Sequence, residues 1–336
     1  ATVMMSLVLL RWTEEGMSRL ASTKRARTDA QWRAALGISL DDGTPSERTL
    51  RDFEKFLRQR HPEVGQPRYL LFHEHVVRLC LTGNVLGDSP VWATDSTPMW
   101  CYGAVKDTVR LLGAGLQALA RVWARATRRS VGEVAAEWET DWLSAKSVKG
   151  GLAIDWRDPE ARAGGLDRLA RDVVRSVERV NRYLGTVRAG FRNSLDKLCR
   201  RLLRIVRDDL ESDADGHLVI ARRVAEDRLV SFTDPQARHG RKSKSKTFKG
   251  FKLHLVGDVV SGLIASVAVT PGNFHDSRPA HRLIRRASDL LEGIDQILGD
   301  TAYGAASFRR RIRQELAVDI LAPPPPSTRP KNGRFG

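Results

Sequence analysis

A change of patterning near residue 229 limits what this chain can fold into more than any other feature. From 104 to about 228 the sequence is arginine-rich and helical in period, with no strand-like run before "HLVIARRV". Within "LDRLARDVVRSVERVNRYLGTVRAGFRNSLDKLCRRLLRIV", Leu166, Leu169, Val173, Val177, Val180, Leu184 and Val187 recur every three or four positions, the spacing of one helix face. Gly185 and Gly190 interrupt that stripe, which favours a bundle or helical hairpin over a coiled-coil dimer. From about 229, strand and helix patterns alternate. "RLVSF" is a short strand candidate, and "FKLHLVGDVVSGLIASVAVTP" reads as a β-hairpin turning at Ser261-Gly262. "HDSRPAHRLIRRASDLLEG" follows as a helix starting near Asp276 or Ser277, then the strand "IDQIL" running to Asp300, the helix "AASFRRRIRQEL" and the strand "AVDILAP", closed by a proline run. One more strand-like run, "VWATDST", lies before the helical block and reaches an aspartate, Asp95.

Omitting the helical block, the order from residue 91 is β, β, β, α, β, α, β. That order predicts an α/β, ribonuclease H-like mixed sheet with a large helical insertion, preceded by an all-helical N-terminal region. The expected boundaries are 1–90 for the N-terminal region, 91–103 for the first strand, 104–228 for the insertion, 229–325 for the remainder of the catalytic domain and 326–336 for a truncated tail. In the N-terminal region, "TDAQWRAALGI" offers Thr28 or Asp29 as a helix cap and "SERTLRDFEKFLRQR" begins a second helix at Ser46. Two helices with basic ends are compatible with a helix-turn-helix DNA reader and equally with two packed helices of any bundle.

Asp95 and Asp300 are 205 positions apart and both follow apolar runs. The predicted topology puts their strands side by side. Carboxylates meeting across adjacent strands disfavour each other's ionised form unless a cation neutralises them. Two Mg²⁺ or Mn²⁺ ions about 3.5–4 Å apart would do so, activating a nucleophile and stabilising the leaving oxygen of a phosphodiester. The structural alternative makes Asp95 a turn-forming residue before Ser96 and Asp300 a helix cap.

Charge points the same way. The 336 residues carry a formal net charge of +16 at pH 7, and such a field gathers polyanions, nucleic acid first among them. The stretch "ARHGRKSKSKTFKGFK" holds Arg238, Arg241, Lys242, Lys244, Lys246, Lys249 and Lys252 with no acidic residue. It leads into the strand beside Asp95 and is placed to hold a phosphate backbone against the site. Phe248 and Phe251 are interleaved with the lysines and are candidates for base stacking or for the core. Cys80, Cys101 and Cys199 form no C-x-x-C pair, which excludes a disulfide framework or a zinc ribbon and fits a reducing cytosol. "VMMSLVLL" is too short to span a bilayer, so the expectation is a cytoplasmic, nucleoid-associated protein with no membrane partner.

Four motifs in order, "ATDST", "TDPQARHGRKSKSKTFKGFKLHLVGD", "VTPGNFHDS" and "LGDTAYG", resemble those of bacterial insertion-sequence transposases of the DDE type over about 91–325. The resemblance implies a ribonuclease H-like domain in which three acidic residues bind two Mg²⁺ ions, cut at transposon ends and join the freed 3′-hydroxyl to target DNA. It implies double-stranded DNA as partner and a homo-oligomer on that DNA. Asp95 matches the first acid and Asp300 the second. Asn273, His275 and Asp276 match an N-x-H-D motif with a supporting role behind the metal site, and Tyr303 matches an aromatic that packs or touches DNA. The third acid is a glutamate on a helix after a further strand. Glu315 precedes that strand and is not accepted as a substitute, so the resemblance places the third acid beyond Gly336 and implies a truncated chain, inactive alone. The competing expectation is a DNA-binding remnant that occupies transposon ends without chemistry.

Overall fold

The computed structural model describes residues 2–84, 86, 90–223, 225–242, 245–291 and 293–325. They divide into two compact units.

One unit comprises residues 1–90 with 258–265. Its helices are α1 (Thr2–Thr13), α2 (Arg19–Thr28), α3 (Ala30–Leu36), α4 (Glu47–Arg58) and α5 (Arg68–Thr82). Side-chain oxygens set their starts: Ser18, Asp29 and Ser46 accept backbone N–H groups of the first turns of α2, α3 and α4. Leu7, Val8, Ala26, Trp32, Leu36 and Leu50 form the core. Beside it, the buried Glu54 carboxylate is clamped by Arg11 at 2.9 Å and Arg19 at 2.7 Å, tying α4 to α1 and the start of α2. The apolar opening of the chain lies within α1. No described helix is long and apolar enough to cross a membrane.

The other unit, residues 91–257 and 266–336, begins with β1 (Trp92–Trp100). The helical block follows: α6 (Thr108–Thr127), α7 (Val131–Glu137), α8 (Val148–Gly151), α9 (Pro159–Tyr183) and α10 (Ala189–Asp209), then a small hairpin of β2 (Leu210–Ser212) and β3 (Leu218–Ile220). The apolar stripe read from sequence is buried against α6 and α10: Leu166, Leu169, Val173, Val177 and Val180 from α9, and Val187 from the connection. The helix breaks where the glycines stand, with Gly185 in the α9–α10 connection and Gly190 in the first turn of α10, so the block is a bundle.

The rest is sheet and two helices: β4 (Arg238–Arg241), β5 (Thr247–Asp258), β6 (Ile264–Pro271), α11 (Ser277–Leu290), β7 (Gln296–Leu298), α12 (Ala306–Leu316) and β8 (Asp319–Leu321). Strand neighbours run β6–β5–β1–β7–β8, with β4 also on β5. β1 is therefore central, between the long hairpin and the two parallel strands. β7 pairs parallel with both β1 and β8, and β4 pairs antiparallel with β5. This is the ribonuclease H-like mixed sheet expected from the element order, carrying its helical insertion between the first strand and the hairpin. α11 buries Ala280, Leu283, Ile284, Ala287 and Leu290, and α12 buries Phe308 and Ile312, which covers the apolar side chains of the strands.

Three local expectations need correction. "RLVSF" forms no strand: Leu229 and Phe232 are buried against the insertion's core, so apolar burial there comes without a ladder. The basic stretch does not only lead into a strand but begins with one: Arg238–Arg241 form β4, paired from Arg238↔Gly250 to Arg241↔Thr247. β1 does not stop at Asp95 but continues to Trp100, since β5 is long enough to accompany it.

Candidate active site

The relation between β1 and β7 builds the site. Their parallel register sets Ala93 opposite Leu298, and two residues on from each stand Asp95 and Asp300. β7 ends at Leu298, so Asp95 sits in a notch where its strand continues and the neighbour has turned away. Both aspartates are exposed and line one cleft of about 520 Å³, together with Ser96, Lys252, Asp276 and Phe248.

Each aspartate uses one oxygen locally. Asp95 Oδ1 accepts the Ser96 N–H at 2.6 Å, and Asp300 Oδ1 accepts the Ala302 N–H at 2.9 Å, capping the short 3₁₀ turn Thr301–Tyr303. The turn and cap roles weighed from sequence are therefore real, and they orient the carboxylates without using up their second oxygens. Among the described residues neither aspartate has an ion-pair partner. The third carboxylate of the cleft differs: Asp276 Oδ1 accepts Lys252 Nζ at 2.8 Å, and Lys252 also donates to Phe274 O at 3.0 Å. Two open carboxylates and one neutralised one are an asymmetric set, and the open pair is the hard-oxygen donor type that suits Mg²⁺ or Mn²⁺.

Behind the cleft, His254 is wholly buried on β5, two residues beyond Lys252 on the same face. Its Nε2 shares a hydrogen bond with Thr270 Oγ1 at 2.8 Å, its Nδ1 has no partner, and Asp276 lies 3.9 Å away. Burial pushes its pKa below the ordinary histidine value, the nearby Asp276 opposing this, so the ring is neutral at pH 7. Tyr303 is also buried, packed on Phe308 with ring centroids 6.4 Å apart. Burial raises its phenol well above the usual range, and the negative field of Asp276, Asp300 and Asp95 adds to this. A phenol so placed stays protonated. It packs, and of the two roles foreseen for it, contact with DNA is closed by its burial.

The remaining predicted residues divide clearly. Arg241 and Lys242 are exposed and line the cleft. Lys246 and Lys249 are exposed along the same hairpin. Lys244 lies outside the described residues. Arg238 is buried, donating to Asp227 and to the carbonyls of Pro235 and Ala237. It anchors the hairpin base and is not available to a phosphate. Lys252 is likewise spent on Asp276. Asn273 is exposed, while His275 Nδ1 bonds Ser277 Oγ at 2.8 Å and accepts the Ser277 N–H at 3.3 Å, so His275 organises the start of α11. Glu315 faces α11, where it meets His281 at 2.6 Å and Arg285 at 3.8 Å, and is not part of the cleft lining.

Sequence reasoning missed His254 and Thr94. His254 had a signal, since alternation in "FKLHL" puts it on the face of Lys252. Thr94, buried with its hydroxyl donating to Leu255 O at 3.1 Å, had none. A second acidic group, Asp213, Asp215 and His217, is exposed at the β2–β3 turn, where Asp213 accepts the N–H groups of Asp215 and His217 and thereby shapes the turn.

Compared with known proteins, residues 213–334 match the family described as "Transposase DDE domain". No curated protein and no solved structure matches the chain. The matched stretch holds the basic hairpin, the N-x-H-D motif and Asp300 but not Asp95; it is the fold that brings Asp95 to them. Residues 213–334 are thus similar to a DDE-type transposase domain, and the ribonuclease H-like sheet and the register of Asp95 and Asp300 agree with that likeness.

Proposed function

We propose that the chain is a DNA transposase polypeptide that binds double-stranded DNA and contributes Asp95 and Asp300 to metal-dependent cleavage and joining of DNA strands. The observation that carries this reading is the register of the two aspartates on adjacent parallel strands, each with an oxygen left open. In the complete active site the pair would hold Mg²⁺ or Mn²⁺, two ions in all, which supply Lewis-acid polarisation of a phosphodiester and a metal-bound nucleophile. The chain's own residues hold and orient. The Ser96 and Ala302 N–H groups fix the carboxylates, Lys252 keeps Asp276 neutralised, and Arg241 and Lys242 at the cleft draw the DNA backbone in.

No third acid is assigned within the cleft, since Asp276 is held by Lys252 and Glu315 by His281. The N-terminal unit offers a second DNA contact in α4, where Arg48, Arg51, Lys55 and Arg58 are exposed at helical spacing. Joining two DNA ends calls for a homo-oligomer on the DNA.

The test is calorimetric titration of the full chain with Mn²⁺ and Mg²⁺, beside Asp95→Asn and Asp300→Asn. Binding lost in both variants supports a shared metal site. Unchanged binding, or none in the parent chain, reduces both aspartates to caps and leaves a protein that occupies DNA without cutting it.

A further inference from the structure

We infer that Trp100 is a stacking platform for an unpaired nucleobase at the edge of the catalytic cleft, an inference that rests on the DNA reading above. Trp100 closes β1, five residues beyond Asp95. An exposed tryptophan at a strand end is a poor choice for stability alone, because a large apolar surface stays in water. Here the ring is 71% exposed, yet it is held. It stacks on Phe248 with centroids 5.9 Å apart and planes within 13°.

Phe248 is itself buried and lines the cleft that holds Asp95 and Asp300. It is seated by the absence of a side chain opposite: Gly240 pairs with it across the β4–β5 ladder, and a Cβ at 240 would collide with its ring. The result is a stacked aromatic pair of which Phe248 is buried and Trp100 mostly exposed. Phe248, one of the two base-stacking candidates named from sequence, is the support; the face that can receive a partner belongs to Trp100.

The partner's chemistry follows from the surroundings. The cleft that Phe248 lines is also lined by Arg241 and Lys242, both exposed. A flat π surface bordered by cations fits a base whose own phosphates meet those cations. Bases inside a duplex are already covered on both faces, so the fitting partner is a base freed from its pair. Tyr102, two residues on, is still more exposed and has no ring beneath it among the described residues.

The experiment measures binding of the full chain to a fluorescein-labelled dT12 strand and to a twelve-base-pair duplex by anisotropy, for the parent chain, Trp100→Ala, Trp100→Phe and Tyr102→Ala. Stacking of one base predicts that Trp100→Ala weakens dT12 binding about tenfold, with duplex binding changed less than twofold. Trp100→Phe keeps most of the dT12 affinity, which separates loss of the ring from loss of the fold, and Tyr102→Ala stays within twofold of the parent. Equal dT12 affinity for Trp100→Ala and parent overturns the platform while leaving the DNA reading standing. Equal losses on both probes, or in Tyr102→Ala as well, also overturn it. A parent chain that binds neither probe overturns the DNA reading itself.

Discussion

Lys252 reaches from β5 to Asp276 at the mouth of α11, Nζ to Oδ1 in 2.8 Å, and this pair separates the carboxylate that is neutralised within the protein from the two that are not. Lys252→Met would strand Asp276, whose side chain is 20% exposed, without its cation. We expect a loss of about 1–3 kcal/mol, below the cost of breaking a fully buried pair because water still reaches the carboxylate. Chemical denaturation of Lys252→Met, Asp276→Asn and the double variant checks this: the double variant should recover part of the single-site loss.

The basic hairpin contains two kinds of arginine, and they should behave differently. Arg241 and Lys242 line the cleft, so replacing either with alanine should lower the slope of log affinity for duplex DNA against log salt by about one. Arg238→Ala should leave that slope alone and instead lower the melting temperature, since it removes one of the two arginines on Asp227 and the donor to the Pro235 and Ala237 carbonyls. Fluorescence titrations at several salt concentrations, with thermal melts, distinguish the two.

Stability should depend on pH through His254 and His239. Burial lowers the pKa of each, so the folded state favours the neutral ring while the unfolded chain takes up a proton near about pH 6.5. Below that value the unfolded state binds more protons, and stability falls as the pH drops; above it the contribution is level. Urea midpoints from about pH 5 to 8 should show this rise and plateau. His254→Gln should flatten the acid limb, and an unchanged limb would remove His254 from the account.

Gly250 has φ +151°, and a Cβ there would collide with Met99 O and the Trp100–Cys101 backbone. Both the conformation and the close approach of β5 to β1 demand glycine. Gly250→Ala should cost about 2–4 kcal/mol, and Gly164→Ala, where nothing lies within 4 Å, should cost nothing measurable or stabilise slightly. Equal melting temperatures for both variants would refute the close-approach argument.

The alternation of short apolar runs with helical periods was enough to read the sheet, the insertion and the two helices after it, because local patterning and tertiary burial agree there. The side-by-side placement of Asp95 and Asp300 was legible for the same reason, since both follow apolar runs that become neighbouring strands. What failed to show was anything decided by partners distant in sequence. Arg238 looks like its basic neighbours until Asp227 and two carbonyls are seen around it. "RLVSF" has strand composition but finds its burial against helices. Trp100 carries no periodic signal, and only the Phe248 ring under it gives its exposure a meaning.

The helical insertion also has a consequence in time. β1 is central to the sheet, yet its neighbours β5 and β7 are made more than 140 residues later. At roughly 5–20 residues per second, synthesis takes roughly ten to forty seconds to travel from Asp95 to Asp300. Until β5 is made the insertion can close on its own core, while β1 waits with both edges unpaired. The order of synthesis thus makes the pairing of the two aspartates a later event than closure of the insertion, and the nascent chain is assembled around a strand that has no sheet to join until β5 and β7 arrive.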